Sequence, residues 1–116
     1  MNIVGEIRYY VGDDNYATLK FSESKSSFSL DIVVVPAAHR GKGIGATLIT
    51  HVLRLAESMG KDVYVSARPL GPFSQDRLER LIGYYQRFGF ELYDRGLTVA
   101  YMCKKITRGE STALAQ

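Results

Sequence analysis

Three short runs of β-branched and aromatic residues open the chain: Ile3 to Tyr10, Tyr16 to Phe21, and Phe28 to Val35. Such side chains fit a pleated, half-buried surface, so the runs predict three strands. Gly12-Asp13-Asn15 chemistry, with Asp14 between, marks the first turn: Gly and Asn tolerate positive φ, and Asp bonds nearby backbone. Ser22 to Ser27 forms the second polar break. Ile32-Val33-Val34-Val35 shows no polar alternation, which predicts a segment buried on both faces in the middle of a sheet. Pro36 stops it.

The period changes at Ile44. Ile44, Leu48, Ile49, Val52, Leu55, Ala56 and Met59 recur at intervals of three and four, which predicts a helix with one apolar face, ended by Gly60. Lys61 to Arg68 then carries Val63 and Val65 in a short strand, stopped by Pro69. After the loop Leu70-Gly71-Pro72-Phe73, a Ser74 cap starts a second helix with Leu78, Leu81, Ile82, Tyr85 and Phe88 on one face and Gly89 as terminator. Two strands follow, Phe90 to Asp94 and Leu97 to Ile106, joined through Arg95-Gly96. Residues 107–116 have neither period nor apolar anchor and are expected to be a flexible tail. The order predicts an α/β fold: a compact mixed sheet of about six strands with two main helices and one right-handed crossover, in a single domain over residues 1–106.

Composition narrows the function classes. At 116 residues the chain has room for one domain, and 46% hydrophobic with 23% charged residues suits a packed core. The net charge of +3 fits a bound anion but is too small and dispersed to argue for nucleic acid, and none is expected as a partner. One cysteine, Cys103, excludes an intrachain disulfide and a multi-cysteine zinc site and agrees with a reducing compartment, so the cytoplasm is expected. His39 and His51 have no second ligand at metal spacing, and no metal is expected. Met1 to Glu6 lacks a basic segment followed by an apolar one, and no apolar run approaches the ~20 residues a membrane span needs.

The chemistry concentrates at His39-Arg40-Gly41-Lys42-Gly43-Ile44-Gly45-Ala46, between the third strand and the first helix. Alternate glycines let the backbone turn tightly and bring successive N–H groups to a ligand, while the helix N-terminus and the two cations attract negative charge. Such a turn suits a pyrophosphate; the alternative is a glycine-rich turn that merely starts a helix. The Walker pattern is absent, because Ile44 follows Gly43 where Lys-Ser or Lys-Thr is required. A dinucleotide fingerprint would need an acidic residue ending the next strand, and that end reads Ser66-Ala67-Arg68.

Arg40-Gly41-Lys42-Gly43-Ile44-Gly45 resembles the acetyl-CoA motif of the GCN5-related N-acetyltransferases. Tyr85-Gln86-Arg87-Phe88-Gly89-Phe90 resembles that family's second signature, a Tyr four residues before Gly-Phe. The resemblance covers roughly Phe28 to Met102. It departs from the family where the region before the third strand is too short for the usual first two helices, and where Leu78 stands in place of an Asn seven residues before Tyr85.

The resemblance implies an acetyl-CoA-dependent enzyme that transfers acetyl directly to an amine acceptor. The backbone of Val33, Val34 and Val35 would meet the pantetheine arm on a strand that splays from its neighbour. Arg40, Gly41, Lys42, Gly43, Ile44, Gly45 and Ala46 would hold the pyrophosphate, and Tyr85 would meet the leaving thiolate. Thiols titrate near ~8.5 and tyrosine near ~10, so Tyr85 fits a hydrogen-bond donor better than a full proton donor. Asp31, sharing a face with Ser29 by period two, is a candidate to accept the amine proton through a water. Arg68 is placed either to bind an acidic acceptor or to pair with Asp76 or Glu79, and Tyr84 is placed to line the same cleft. Two further readings use the same turn: a CoA-binding or protein-interaction module without turnover, and a nucleotide-binding domain. A homodimer through an exposed C-terminal sheet edge is an arrangement the small sheet allows.

Overall fold

A computed structural model describes residues 3–12, 14–69 and 71–106. Its six strands are β1 (Ile3–Gly12), β2 (Asn15–Glu23), β3 (Ser27–Val34), β4 (Asp62–Ala67), β5 (Glu91–Arg95) and β6 (Ala100–Lys104), in one sheet ordered β1-β2-β3-β4-β6-β5. Neighbours are antiparallel except β3 and β4, which are parallel. A parallel pair cannot be joined by a hairpin, and α1 (Ile44–Met59) supplies the crossover. The second helix, α2 (Gln75–Gln86), connects β4 to β5. Six strands with two helices is the α/β architecture the pattern predicts, with a short 3-10 turn, Ala37–His39, added before the glycines.

Both helix ends follow their sequence signals. Gly60 closes α1 in the left-handed region, φ 66°, donating to the carbonyls of Ala56 and Glu57. Ser74 caps α2, its side chain accepting from the Arg77 amide at 3.4 Å. The core lies between α1, α2 and one face of the sheet, where Leu19, Phe28, Val63 and Met102 meet Ile49, Val52 and Leu78, all fully buried. At the far end the buried carboxylate of Asp62 accepts from the Ile106 amide at 2.8 Å, tying the segment just after β6 to the start of β4.

Three expectations are corrected. On α1 the buried stripe runs through Leu53, whereas Leu55 and Met59 sit on its flank and are exposed. Leu53 lies four residues after Ile49 and three before Ala56, on the line the 3.6-residue turn draws. Leu97 is not in a strand: it is 92% exposed in the turn between β5 and β6. The C-terminal strand is not an edge either, because β6 inserts between β4 and β5, leaving β1 and β5 outermost. The tail expected at 107–116 lies outside the described residues.

Candidate active site

β3 pairs with β4 from Ser27 opposite Asp62 to Leu30 opposite Val65, and no farther. Beyond Leu30 it keeps only β2, with Ile32 opposite Lys20, Val33 opposite Leu19 and Val34 opposite Thr18. Asp31 falls between the Leu30–Phe21 and Ile32–Lys20 pairs, the extra residue of a β-bulge. Bulges bend a strand and raise its twist. Here the bend accompanies the parting of β3 from β4, and the β4-facing backbone of residues 31–34 borders a cleft of about 910 Å³. The expected burial on both faces is thereby overturned: Ile32 is 48% and Val34 41% exposed, and only Val33 and Val35 turn toward the helices. An apolar run without alternation reads as interior, and no pattern of single residues announces that a strand will leave its neighbour.

At the upper end of the cleft the glycine turn passes Gly41 at φ 79° and Gly43 at φ 80°, backbone that residues with a Cβ enter at a cost. Gly43 is the N-cap of α1 and has no side chain to cap it. The first intrahelical bond is from the Thr47 amide to the Gly43 carbonyl, 3.0 Å. The amides of Ile44, Gly45 and Ala46 therefore stand as open donors at the positive end of the helix. Arg40 is drawn back onto β3, its Nε donating to the Val35 carbonyl at 3.0 Å, which ties the turn to the strand end. Val33, Val34, Val35, Arg40 and Gly45 line the cleft directly. Gly41, Lys42 and Gly43 are exposed. The Ile44 side chain is in the core, and Ala46 lines a separate shallow depression with Thr47, Thr50, His51 and Arg54.

Two tyrosines of α2 reach the same cleft. Tyr85 is 7% exposed and packs edge-on against Tyr84 and Phe90, with ring centroids 5.5 and 5.6 Å apart. Burial, and then the neighbouring Tyr84, push its hydroxyl up to about 12. No protein group hydrogen-bonds that hydroxyl among the described residues, which a core tyrosine would ordinarily require. Tyr84 is half-buried, and its hydroxyl oxygen lies 3.4 Å from where a Cβ on Gly45 would stand, beside Val33 and Val35. Leu78, seven residues before Tyr85, is fully buried.

On the side of the sheet away from the helices, the Asp31 carboxylate accepts from the Ser22 hydroxyl at 2.6 Å. Ser22 is paired with Ser29, so Asp31 and Ser29 stay on one side although the bulge interrupts the period. Arg68 lines the cleft and does not pair with either acid expected for it: Glu79 binds Arg95 and Gln75 instead. Three further arginines, Arg77, Arg80 and Arg87, also face the cleft and escaped the sequence reading. Their spacing with Tyr84, three, four and three residues, is a helical stripe that could have revealed them. The cleft thus gathers five arginines, Arg40 among them, around one carboxylate, Asp31. That is a greater positive excess than the +3 of the whole chain. Cys103 is buried opposite Tyr64, away from this wall, and no cluster of His, Cys, Asp and Glu among the described residues could hold a metal.

A six-stranded mixed sheet whose two parallel central strands part above a glycine-capped helix defines the acetyltransferase class of α/β folds. Residues 6–81 match the sequence profile described as GCN5-related N-acetyl-transferase, and the chain belongs to that family. Among solved structures it is similar to PaiA N-acetyltransferase from Thermoplasma acidophilum in complex with coenzyme A, with TM-score 0.69 and 15% identity over 88% of this chain and 60% of that one. An acyl-CoA N-acyltransferase from Pseudomonas aeruginosa gives TM-score 0.69 and 24% identity, over 87% and 67%. The anti-CRISPR protein AcrVA5 gives TM-score 0.64 and 22% identity, over 85% of this chain and 97% of that one. The chain thus spans less than two thirds of PaiA and nearly all of AcrVA5. No curated protein matches the sequence significantly.

Proposed function

We propose that the protein is an acetyl-CoA-dependent N-acetyltransferase that passes the acetyl group directly to an amine within a ternary complex. The observation that carries this reading is the β3 backbone of residues 31–34, released from β4 at the wall of a cleft that ends in open helix amides and arginines. Acetyl-CoA is a peptide-like arm attached to a polyanion, and such a cleft complements both halves. Main-chain groups of Val33, Val34 and Val35 bind the pantetheine amides. The turn from Gly41 through Lys42, Gly43, Ile44, Gly45 and Ala46 holds the pyrophosphate with Arg40 beside it.

The amine, mostly protonated at neutral pH, must lose a proton before its nitrogen attacks the thioester carbonyl. Asp31, at the point where the strands part, accepts its proton directly or through a water. As the carbonyl re-forms, the C–S bond breaks and negative charge grows on sulfur. Tyr85, whose hydroxyl has no other partner among the described residues, donates a hydrogen bond to that charge. The domain occupies residues 1–106, and the cytoplasm is its place of action. No helix among the described residues is long and apolar enough to cross a membrane.

The test has two stages. Acetyl-CoA should raise the melting temperature where NADP and ATP do not. Thiol release should then follow with a panel of amines. Stabilisation without thiol release from any amine, small or protein-borne, would favour a binding module without turnover. Equal stabilisation by NADP or ATP would remove the acetyl-CoA assignment.

A further inference from the structure

β1 is the longest strand of the sheet, at ten residues, and among the described residues only β2 pairs with it. Its outer edge therefore presents a row of unpaired N–H and C=O groups about 34 Å long, at the usual rise of ~3.4 Å per residue. Native edges are commonly blunted by proline, lysine, bulges or shortness. From Ile3 to Val11 there is no proline and no lysine, and the register with β2 is regular from Ile3 to Tyr10. The opposite edge is different: β5 has five residues, three of them charged, and its register slips between Leu92 and Asp94. Exposed apolar side chains also gather on β1, where Ile3, Val4, Tyr9 and Tyr10 are 61%, 72%, 42% and 64% exposed.

The strand is complementary to itself. When it is laid antiparallel against a second copy about a two-fold axis at Ile7, Glu6 opposes Arg8 of the second copy and Arg8 opposes its Glu6. In the same register Val4 meets Tyr10, Ile3 meets Val11, and Gly5 meets Tyr9. Within one chain Arg8 donates from Nε to Glu6, also hydrogen-bonds the Tyr10 side chain, and holds its guanidinium 4.5 Å over the Tyr16 ring, so the fork, with five N–H donors, lies fixed at the strand surface where a second copy's Glu6 would arrive. The Gly5 position is roofed by the Phe21 ring, since a Cβ there would come within 2.4 Å of it. An aromatic side chain arriving opposite Gly5 meets an apolar surface. Each of these pairings occurs twice, as an isologous interface requires.

We propose that β1 is the seam of a homodimer, pairing antiparallel with its own copy about Ile7 so that one sheet runs through both chains. The occupant is a second copy rather than another protein, because the charge order Glu6, Ile7, Arg8 is satisfied by its own reversal. The cleft between β3 and β4 lies two strands away and remains open, so the dimer does not depend on the catalytic reading.

Sedimentation velocity or light scattering on the full chain tests it. The native protein should show twice the 13.0 kDa mass of one chain and fall toward one on dilution. Glu6→Arg and Arg8→Glu each set like charges opposite one another across the seam, and each variant alone should run as a single chain at the concentration where the native protein is double. Mixing the two variants restores opposite charges at both contacts, and the mass should double again. Both side chains are solvent-accessible, and unchanged circular dichroism identifies variants that have kept the fold. A native protein monomeric at every concentration, single variants that remain double, or a mixture that stays single would each overturn the seam.

Discussion

Tyr85→Phe separates chemistry from packing because the hydroxyl it removes has no hydrogen-bond partner among the described residues. The ring contacts with Tyr84 and Phe90, at 5.5 and 5.6 Å, survive the change. A buried hydroxyl without a hydrogen bond carries a desolvation cost of ~1–3 kcal/mol, so the variant should be at least as stable as the native protein. Turnover should move the other way. With the phenol pushed up to about 12 and a free thiol near ~8.5, full proton transfer to sulfur is uphill by about 5 kcal/mol at ~1.36 kcal/mol per unit. The group left to Tyr85 is therefore a hydrogen bond to charge that develops only as the C–S bond breaks. Losing one such donor costs on the order of a hundredfold in kcat. Thiol release under saturating acetyl-CoA, with calorimetry for affinity and a melting curve for stability, should show that fall with affinity and melting temperature little changed. Tyr84→Phe is the companion, because its hydroxyl sits by Gly45 in the same cleft. Full turnover in Tyr85→Phe, or a comparable loss confined to Tyr84→Phe, would refute the assignment.

Gly43→Ala should cost ~1–2 kcal/mol from its φ of 80° and still bind acetyl-CoA, whereas Gly43→Asp adds negative charge beside the open amides and should abolish binding, both read by calorimetry. Asp31→Asn should lower turnover at neutral pH while leaving acetyl-CoA affinity intact, and undiminished thiol release would remove Asp31 from the reaction. Because burial raises the Tyr85 hydroxyl from 10.0 to about 12, the stability it contributes is complete below pH ~10 and lost as pH rises toward 12. The loss is up to about 3 kcal/mol, and Tyr85→Phe should shed that alkaline sensitivity in denaturant melts. Leu78→Ala, at a fully buried position, should lower stability by ~2–5 kcal/mol.

Local chemistry was legible in the chain wherever a residue type has one strong conformational use. Gly41 and Gly43 at alternate positions announced a left-handed turn, Ser74 a cap, Gly60 a helix end, and Tyr85 before Gly89-Phe90 a tyrosine near the second helix terminus. The elements followed from these and from the apolar periods, and the acetyltransferase class from the resemblance of Arg40 to Gly45 and Tyr85 to Phe90 to that family's two motifs. Contacts between distant segments were not legible. The order β4-β6-β5 places the C-terminal strand inside the sheet, and side-chain patterns of β5 and β6 do not say which is outermost. Ile32 to Val35 read as interior because alternation reports the environment of two faces, not whether the hydrogen-bonding edge keeps its neighbour. That edge is freed where β3 and β4 part after Leu30, next to the bulge at Asp31, a register defined only by the pairing of three strands. The arginine wall has the same origin: Arg77, Arg80 and Arg87 are an ordinary solvated helix face until α2 packs beside the crossover and turns that face toward Arg40 and Arg68. Backbone conformation is set by near neighbours along the chain, whereas the cleft and its charge arise from segments that only folding brings together.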